Sequence, residues 1–180
     1  MTPEAINVDL ASAPLEWARA AGQLAQLQPA GGSRGPTCWL STIDPDGRPR
    51  TAGVVGHWVE ETLYFVSGPR TRKSRNLASD PRCTLAFSLP DLDLVLEGVA
   101  ARVTAPQTLT RVAAGFAERG WPLEVDGDKV TASFWAPSAP PPPWHLYAFR
   151  PSTALGVATA PPAGATRWRF DTSPSAASRA

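Results

Sequence analysis

A mainly β chain with flanking helices, closed as an antiparallel barrel, is the fold class this sequence predicts. Three observations carry it. Short apolar and β-branched runs follow one another in hairpin pairs joined by tight turn signals. Helical periodicity is confined to short stretches set before and between those pairs. No internal repeat is present, and no apolar run reaches the roughly 18 residues that a membrane span needs.

The elements follow in order. Residues 1–11 read as a loose arm. Ser12 is placed to cap a helix with Pro14 in its first turn; Trp17, Ala20, Ala21, Leu24 and Leu27 then keep the helical period to about Gln28. Gly31, Gly32, Ser33 and Gly35 form a flexible link. Thr37 to Ile43 is a strand, and Asp44-Pro-Asp-Gly47 is a turn with Pro second and Gly fourth. A strand over Thr51 to Val59 meets another over Thr62 to Ser67 across the two-residue turn Glu60-Glu61. Thr71 to Ser79 is a short helix stopped by Asp80-Pro81, because the residue before proline disfavours helix. Cys83 to Leu89 and Leu94 to Val103 are strands joined at Pro90–Asp93. Leu109, Val112, Ala113 and Phe116 make an amphipathic helix that ends at Gly120. Residues 121–143 read as irregular and end in Pro140 to Pro143. His145 to Arg150, Ala154 to Ala158 and Thr166 to Phe170 are the last strands. Residues 1–170 are expected to be one domain, with 171–180 a disordered tail.

Composition narrows the function. The 180 residues carry 17 Lys and Arg against 16 Asp and Glu, a net charge of +1, with 43% apolar residues and 20 prolines. A balance this close to neutral gives no general attraction to nucleic acid, so any basic site is local. Cys38 and Cys83 sit in separate apolar runs and read as buried free thiols. The N-terminus lacks the basic and apolar regions of a secretory signal, so the expected location is the cytoplasm. His57 and His145, with two separated cysteines, form no metal-ligand spacing. No Gly-x-Ser-x-Gly elbow or Ser/His/Asp set is visible.

The most informative segment is basic. No acid occurs between Glu61 and Asp80, and Arg70, Arg72, Lys73 and Arg75 fall inside that window, beside Ser67, Gly68 and Thr71. The cluster follows a strand and opens a helix. A helix start offers free N–H groups and partial positive charge; Arg adds a bidentate fork and Lys a point charge. That combination suits a phosphate. A solvated charged helix face is the competing reading of the same residues.

Three stretches together resemble the pyridoxamine 5′-phosphate oxidase-like superfamily of FMN-binding split β-barrels. They are Ser41–Arg50 leading into Thr51–Gly56, Tyr64–Leu77 followed by Asp80-Pro-Arg82, and Leu96-Glu-Gly98 before Ala101–Thr104. The ending Gly164–Phe170 resembles one subgroup of these proteins, and the chain as a whole resembles the branch of FMN- and deazaflavin-dependent oxidoreductases. The resemblance implies a split barrel of antiparallel Greek-key type and a homodimer with the cofactor between two barrels. It also assigns residues. Arg72 and Lys73 would grip the cofactor phosphate, with Ser67 and Thr71 beside it and Asn76 helping to hold the cofactor. Ala52, Gly53, Val54 and Val55 would lie along the ring. Trp168 and Arg169 would approach the partner's cofactor; a packed Trp and a surface Arg on a last strand is the alternative. His57 would make a ring contact or be a core or edge histidine.

One departure bears on substrate. The true oxidases of pyridoxamine phosphate end in an Arg-x-His motif, whereas this chain has Arg167-Trp-Arg169, so that substrate is not expected. The Pro-rich segment 135–144 also differs from them, as a rigid connector or as a cover for the cofactor's open face. The resemblance implies hydride transfer to or from a small organic substrate, with the reactive atom on the cofactor and no obligatory catalytic acid or base from the protein. FMN and the reduced deazaflavin coenzyme F-420 both fit the basic cluster. A non-enzymatic flavin carrier or sensor would use the same barrel and clamp.

Overall fold

The computed structural model describes residues 3–8, 12–26, 38–135 and 139–171. Among these residues, eleven strands and three helices run in the order β1 (Glu4–Asn7), α1 (Trp17–Ala25), β2 (Cys38–Ile43), β3 (Pro49–Val54), β4 (Gly56–Val59), β5 (Thr62–Ser67), α2 (Arg72–Ser79), β6 (Arg82–Ser88), β7 (Leu92–Val103), α3 (Pro106–Glu118), β8 (Glu124–Asp126), β9 (Lys129–Thr131), β10 (His145–Ala158) and β11 (Ala165–Arg169). The turn chemistry read from the sequence is present. Gly47 takes φ 77° between β2 and β3, and Glu60 and Glu61 take φ 47° and 62° between β4 and β5. Positive φ at both central residues is what a two-residue hairpin needs to match strand twist.

Every pairing in the main sheet is antiparallel, in the order β1-β11-β10-β7-β6-β2-β3, with β5 pairing β10 and β4. The long β10 makes this a split barrel. Its first half lies between β7 and β5, and its second half between β7 and β11. The change of neighbour falls at a register shift between Pro151 and Thr153. Alternation along the strands divides the interior into two cores. Leu63 and Phe65 on β5, with Tyr147 and Phe149 on β10, face inward with Leu40, Leu85, Leu94, Leu96 and the α1 residues Trp17, Ala20 and Leu24. Tyr64 and Leu146 face outward beneath α3, which buries Leu109, Val112, Ala113 and Phe116 against them.

Some elements depart from the sequence reading. Part of the N-terminal arm is strand β1, fixed by pairing with β11 at the far end of the chain. Helix α1 begins at Trp17 after Glu16 and not at Ser12, because Leu15 donates its N–H to Thr166 Oγ1 at 2.8 Å and the chain before it stays extended. It ends at Ala25; the remainder of the expected helix to Gln28, Gly31–Gly35 and Thr37 lie outside the described residues. The expected strand Thr51–Val59 is broken at Val55, so β3 pairs with β2 while β4 pairs with β5. Within 121–143, β8 and β9 form a small hairpin around Gly127 at φ 60°. His145–Arg150 and Ala154–Ala158 are one strand joined through the bulge. Of the expected tail, Asp171 is described and 172–180 lie outside.

Both cysteines are buried and free, as expected. Among the described residues, no helix is long and apolar enough to cross a membrane, and no group of three or more His, Cys, Asp and Glu side chains is placed to hold a metal.

Candidate functional site

Helix α2 is tied to the barrel by a chain of polar contacts that its own sequence supplies. Thr71 is the N-cap, with Oγ1 accepting from the Ser74 N–H at 3.3 Å. Ser67 Oγ lies 2.9 Å from Thr71 Oγ1, and Ser74 Oγ donates to Ser67 Oγ at 2.8 Å. Thr71 also donates to the Gly68 carbonyl at 2.9 Å, which closes the loop between β5 and α2. One turn on, buried Asn76 donates through Nδ2 to Thr42 Oγ1 on β2 at 3.0 Å, and Leu77 enters the barrel core. Ser67, Ser74 and Asn76 are thereby consumed in holding the helix start still.

The fixed helix start forms one wall of a cleft of about 630 Å³. Thr71, Arg72 and Lys73 line this wall; Thr42, Pro49, Arg50, Thr51 and Ala52 from β2 and β3 line the other. Arg72 is exposed. Lys73 is half-buried, and burial alone holds its ammonium below the usual lysine range. No carboxylate among the described residues is paired with either one. A half-buried lysine without a counter-charge is costly for a fold, and here it borders a helix start with free N–H groups. The lining holds no histidine, cysteine or carboxylate.

The other sequence-derived residues are distributed unevenly. Ala52 lines the cleft, Gly53 and Val55 are exposed on and just after β3, and Val54 points into the core. Trp168 is 1% exposed, donates Nε1–H to the Leu15 carbonyl at 3.2 Å and packs edge-on against Trp17. In this arrangement its ring has no surface left for a ligand: the inward face of β11 made it a core residue. Arg169 is exposed on the same strand.

His57 pairs with Tyr64 and faces outward beneath α3, where its ring meets Phe116 at 5.2 Å. Burial first, then the nearby Arg119 charge, pushes its pKa down to about 4, and in this arrangement it packs as a buried histidine. The Pro-rich segment reaches the site's margin: Trp144 Nε1–H donates to the Pro140 carbonyl at 2.9 Å, and a Cβ at Gly68 would lie 3.4 Å from Pro140.

Sequence reasoning missed Arg50 and Thr42. Their one signal was alternation: Arg50 shares the inward side of its strand with Ala52 and Val54, and Thr42 is drawn to the cleft by Asn76.

Comparison with known proteins agrees with this arrangement. A family model described as pyridoxamine 5′-phosphate oxidase matches residues 32–132, more than half of the chain. No curated protein matches. Among solved structures, the chain is similar to a pyridoxamine 5′-phosphate oxidase-related, FMN binding protein from Nostoc punctiforme PCC 73102, with a TM-score of 0.55 and 19% identity over 86% of this chain and 89% of that one. It is similar to General Stress Protein 26 from Bacillus anthracis str. Sterne, with a TM-score of 0.53 and 15% identity over 79% of this chain and 94% of that one. It is also similar to HupZ from Group A Streptococcus, with a TM-score of 0.53 and 12% identity over 81% of this chain and 96% of that one. At these identities the likeness bears on the fold, which is the split barrel.

Proposed function

The chain belongs to the pyridoxamine 5′-phosphate oxidase family, and from that premise we propose that it is an oxidoreductase that binds FMN or coenzyme F-420 by the phosphate and uses it on a small organic substrate. The observation that carries this reading is Lys73, a half-buried cation with no counter-charge among the described residues, at the start of a helix that faces a cleft. A bound phosphate would supply that charge, and the site fits one in size and polarity. When bound, the cofactor supplies the hydride chemistry. The protein's part is binding and orientation. Lys73 and Arg72 hold the phosphate, the capped loop from Ser67 to Thr71 presents the α2 N–H groups, and Ala52 on β3 sets the far wall. Hydride transfer is the cofactor's own chemistry, and this reading assigns no proton step to the chain. The buried free thiols suit a reducing compartment such as the cytoplasm.

Titrating the purified protein with FMN and with F-420, followed by absorbance and fluorescence, tests the reading. At least one is expected to bind with a dissociation constant well below about 1 mM, which corresponds to roughly −4.1 kcal/mol. Failure of both to bind by that concentration would overturn it. Turnover separates enzyme from carrier: a reduced cofactor oxidised many times over in the presence of acceptors marks an enzyme, and binding without turnover marks a carrier.

We also propose a homodimer, supported by the outer face of the sheet. Gly53, Trp39, Ala86, Val95 and Leu155 stand in one register row across β3, β2, β6, β7 and β10. In that row Trp39 is 52% exposed, beside a glycine and an alanine that leave its ring standing clear. Trp17, Trp58 and Trp168 pack in the barrel and Trp144 under α3, while Phe134 and Trp135 are exposed away from this row. Trp39→Glu is expected to weaken dimerisation by more than about 30-fold, the effect of losing a hot spot worth roughly 2 kcal/mol, and to leave the monomer folded. Sedimentation of both proteins reads this directly. A wild type that is monomeric at micromolar concentration, or a variant that is unchanged, counts against this face.

A further inference from the structure

We infer that Arg50 makes the cleft selective for ligands that carry a second anionic group, set apart from the phosphate held at Arg72 and Lys73. The inference rests on the phosphate reading above and adds a determinant that lies outside the basic cluster. Arg50 is on β3, on the wall opposite α2, and lines the same 630 Å³ space. One phosphate fills a small fraction of such a volume, which is that of a site for a whole drug-sized ligand. Cations on both walls of a space this large offer contacts to two separate groups of one ligand.

The guanidinium is already fixed in place. Arg50 Nε–H donates to Asp44 Oδ2 at 2.8 Å. Asp44 is pinned in turn by the turn it closes, accepting through Oδ1 from the N–H groups of Arg48 at 2.9 Å and Asp46 at 3.1 Å. The Arg50 side chain and these N–H groups hold the Asp44 carboxyl below its usual range, so it stays ionised as a partner. This arrangement uses only Nε of the fork. Neither Nη atom has a hydrogen bond among those found for the described residues, and the side chain keeps 40% exposure. A fork with its inner edge satisfied and its outer donors open is set up for a carboxylate or a second phosphoryl oxygen. Asp44 acts here as a positioning residue that also tempers the charge.

The test uses three ligands: FMN, with one phosphate as its only anionic group; FAD, with a diphosphate; and F-420, with a phosphodiester followed by carboxylates. Isothermal titration of the wild type is expected to give tighter binding of FAD or F-420 than of FMN. Arg50→Met should weaken that ligand about 10-fold or more, the effect of losing one charge-assisted contact, while FMN stays within about twofold. Arg50→Lys should recover part of the loss, since the charge returns without the fork. Circular dichroism of each variant checks the fold. Equal loss of all three ligands in Arg50→Met, or no loss of any, overturns the inference, as does a wild type that prefers FMN. Unchanged FMN binding by Lys73→Ala strikes at the phosphate reading itself and removes this inference with it.

Discussion

Replacing Lys73 with alanine is expected to weaken binding of the phosphate-bearing cofactor by about 10- to 150-fold, the effect of losing a charge-assisted hydrogen bond worth roughly 1.5–3 kcal/mol. Arg72→Ala should weaken it less, and Arg150→Ala, an exposed residue on β10, not at all. The ranking follows from burial. Arg72 is exposed, so its attraction to a phosphate is shared with bulk ions and fades as salt rises; Lys73 is half-buried, and its share persists.

Stability should respond oppositely. Burial lowers the Lys73 pKa in the folded chain, so folding disfavours its charged form. That penalty is present at pH values below the folded pKa and is relieved as pH rises through it towards the ordinary lysine value. Lys73→Ala is therefore expected to melt no lower than the wild type at neutral pH without ligand, and to lose the rise in melting temperature that the wild type gains on adding cofactor. Titration calorimetry and thermal unfolding of the same samples check both halves. Unchanged affinity with an intact fold would reduce the basic cluster to a solvated helix face.

The parts legible in the sequence were those whose causes are local. The Asp44–Gly47 turn, the Glu60-Glu61 turn, the α2 stop at Asp80-Pro81 and the α3 stripe each depend on residues a few positions apart, and each is present. Strand β1 was not legible because its partner, β11, lies at the opposite end of the chain. The β8–β9 hairpin carries a Gly127-Asp128 turn signal, but its three-residue strands are too short for alternation to register. Trp168 was ambiguous because one strand presents both a core face and a surface, and only packing against Trp17 shows which face it took. Arg50 was missed for a related reason. Its role is set by the α2 wall across the cleft, and its own neighbourhood reads as the end of a turn.

Gly98→Ala is expected to be the most damaging single substitution to the fold, lowering stability by about 3 kcal/mol or more and the melting temperature by roughly 10 °C. Gly98 is the last residue of the Leu96-Glu97-Gly98 stretch and stands opposite Pro151 where β7 crosses the β10 bulge. A Cβ there would lie 2.1 Å from the Arg150 carbonyl oxygen and 2.9 Å from Pro151 Cα. Both are backbone atoms of a central strand, so no side chain can rotate away, and the two strands would have to part. The bulge cannot shift to make room. Its extra residue, Ser152, donates Oγ–H to the Glu97 carbonyl at 3.1 Å, and its own carbonyl accepts from the Phe170 N–H at 2.9 Å. This is also the point where β10 exchanges β5 for β11, so parting it opens the barrel. The damage should reach the cleft, because β6 is bonded to β7 along this stretch and begins just after α2. Gly22→Ala provides the contrast: it sits inside α1 with nothing within 4 Å of the added carbon, and should stabilise by about 0.5–1 kcal/mol through helix propensity. Thermal unfolding of the two variants beside the wild type measures both. A Gly98→Ala protein that melts within a degree or two of the wild type would show that the β7–β10 crossing is looser than its packing implies.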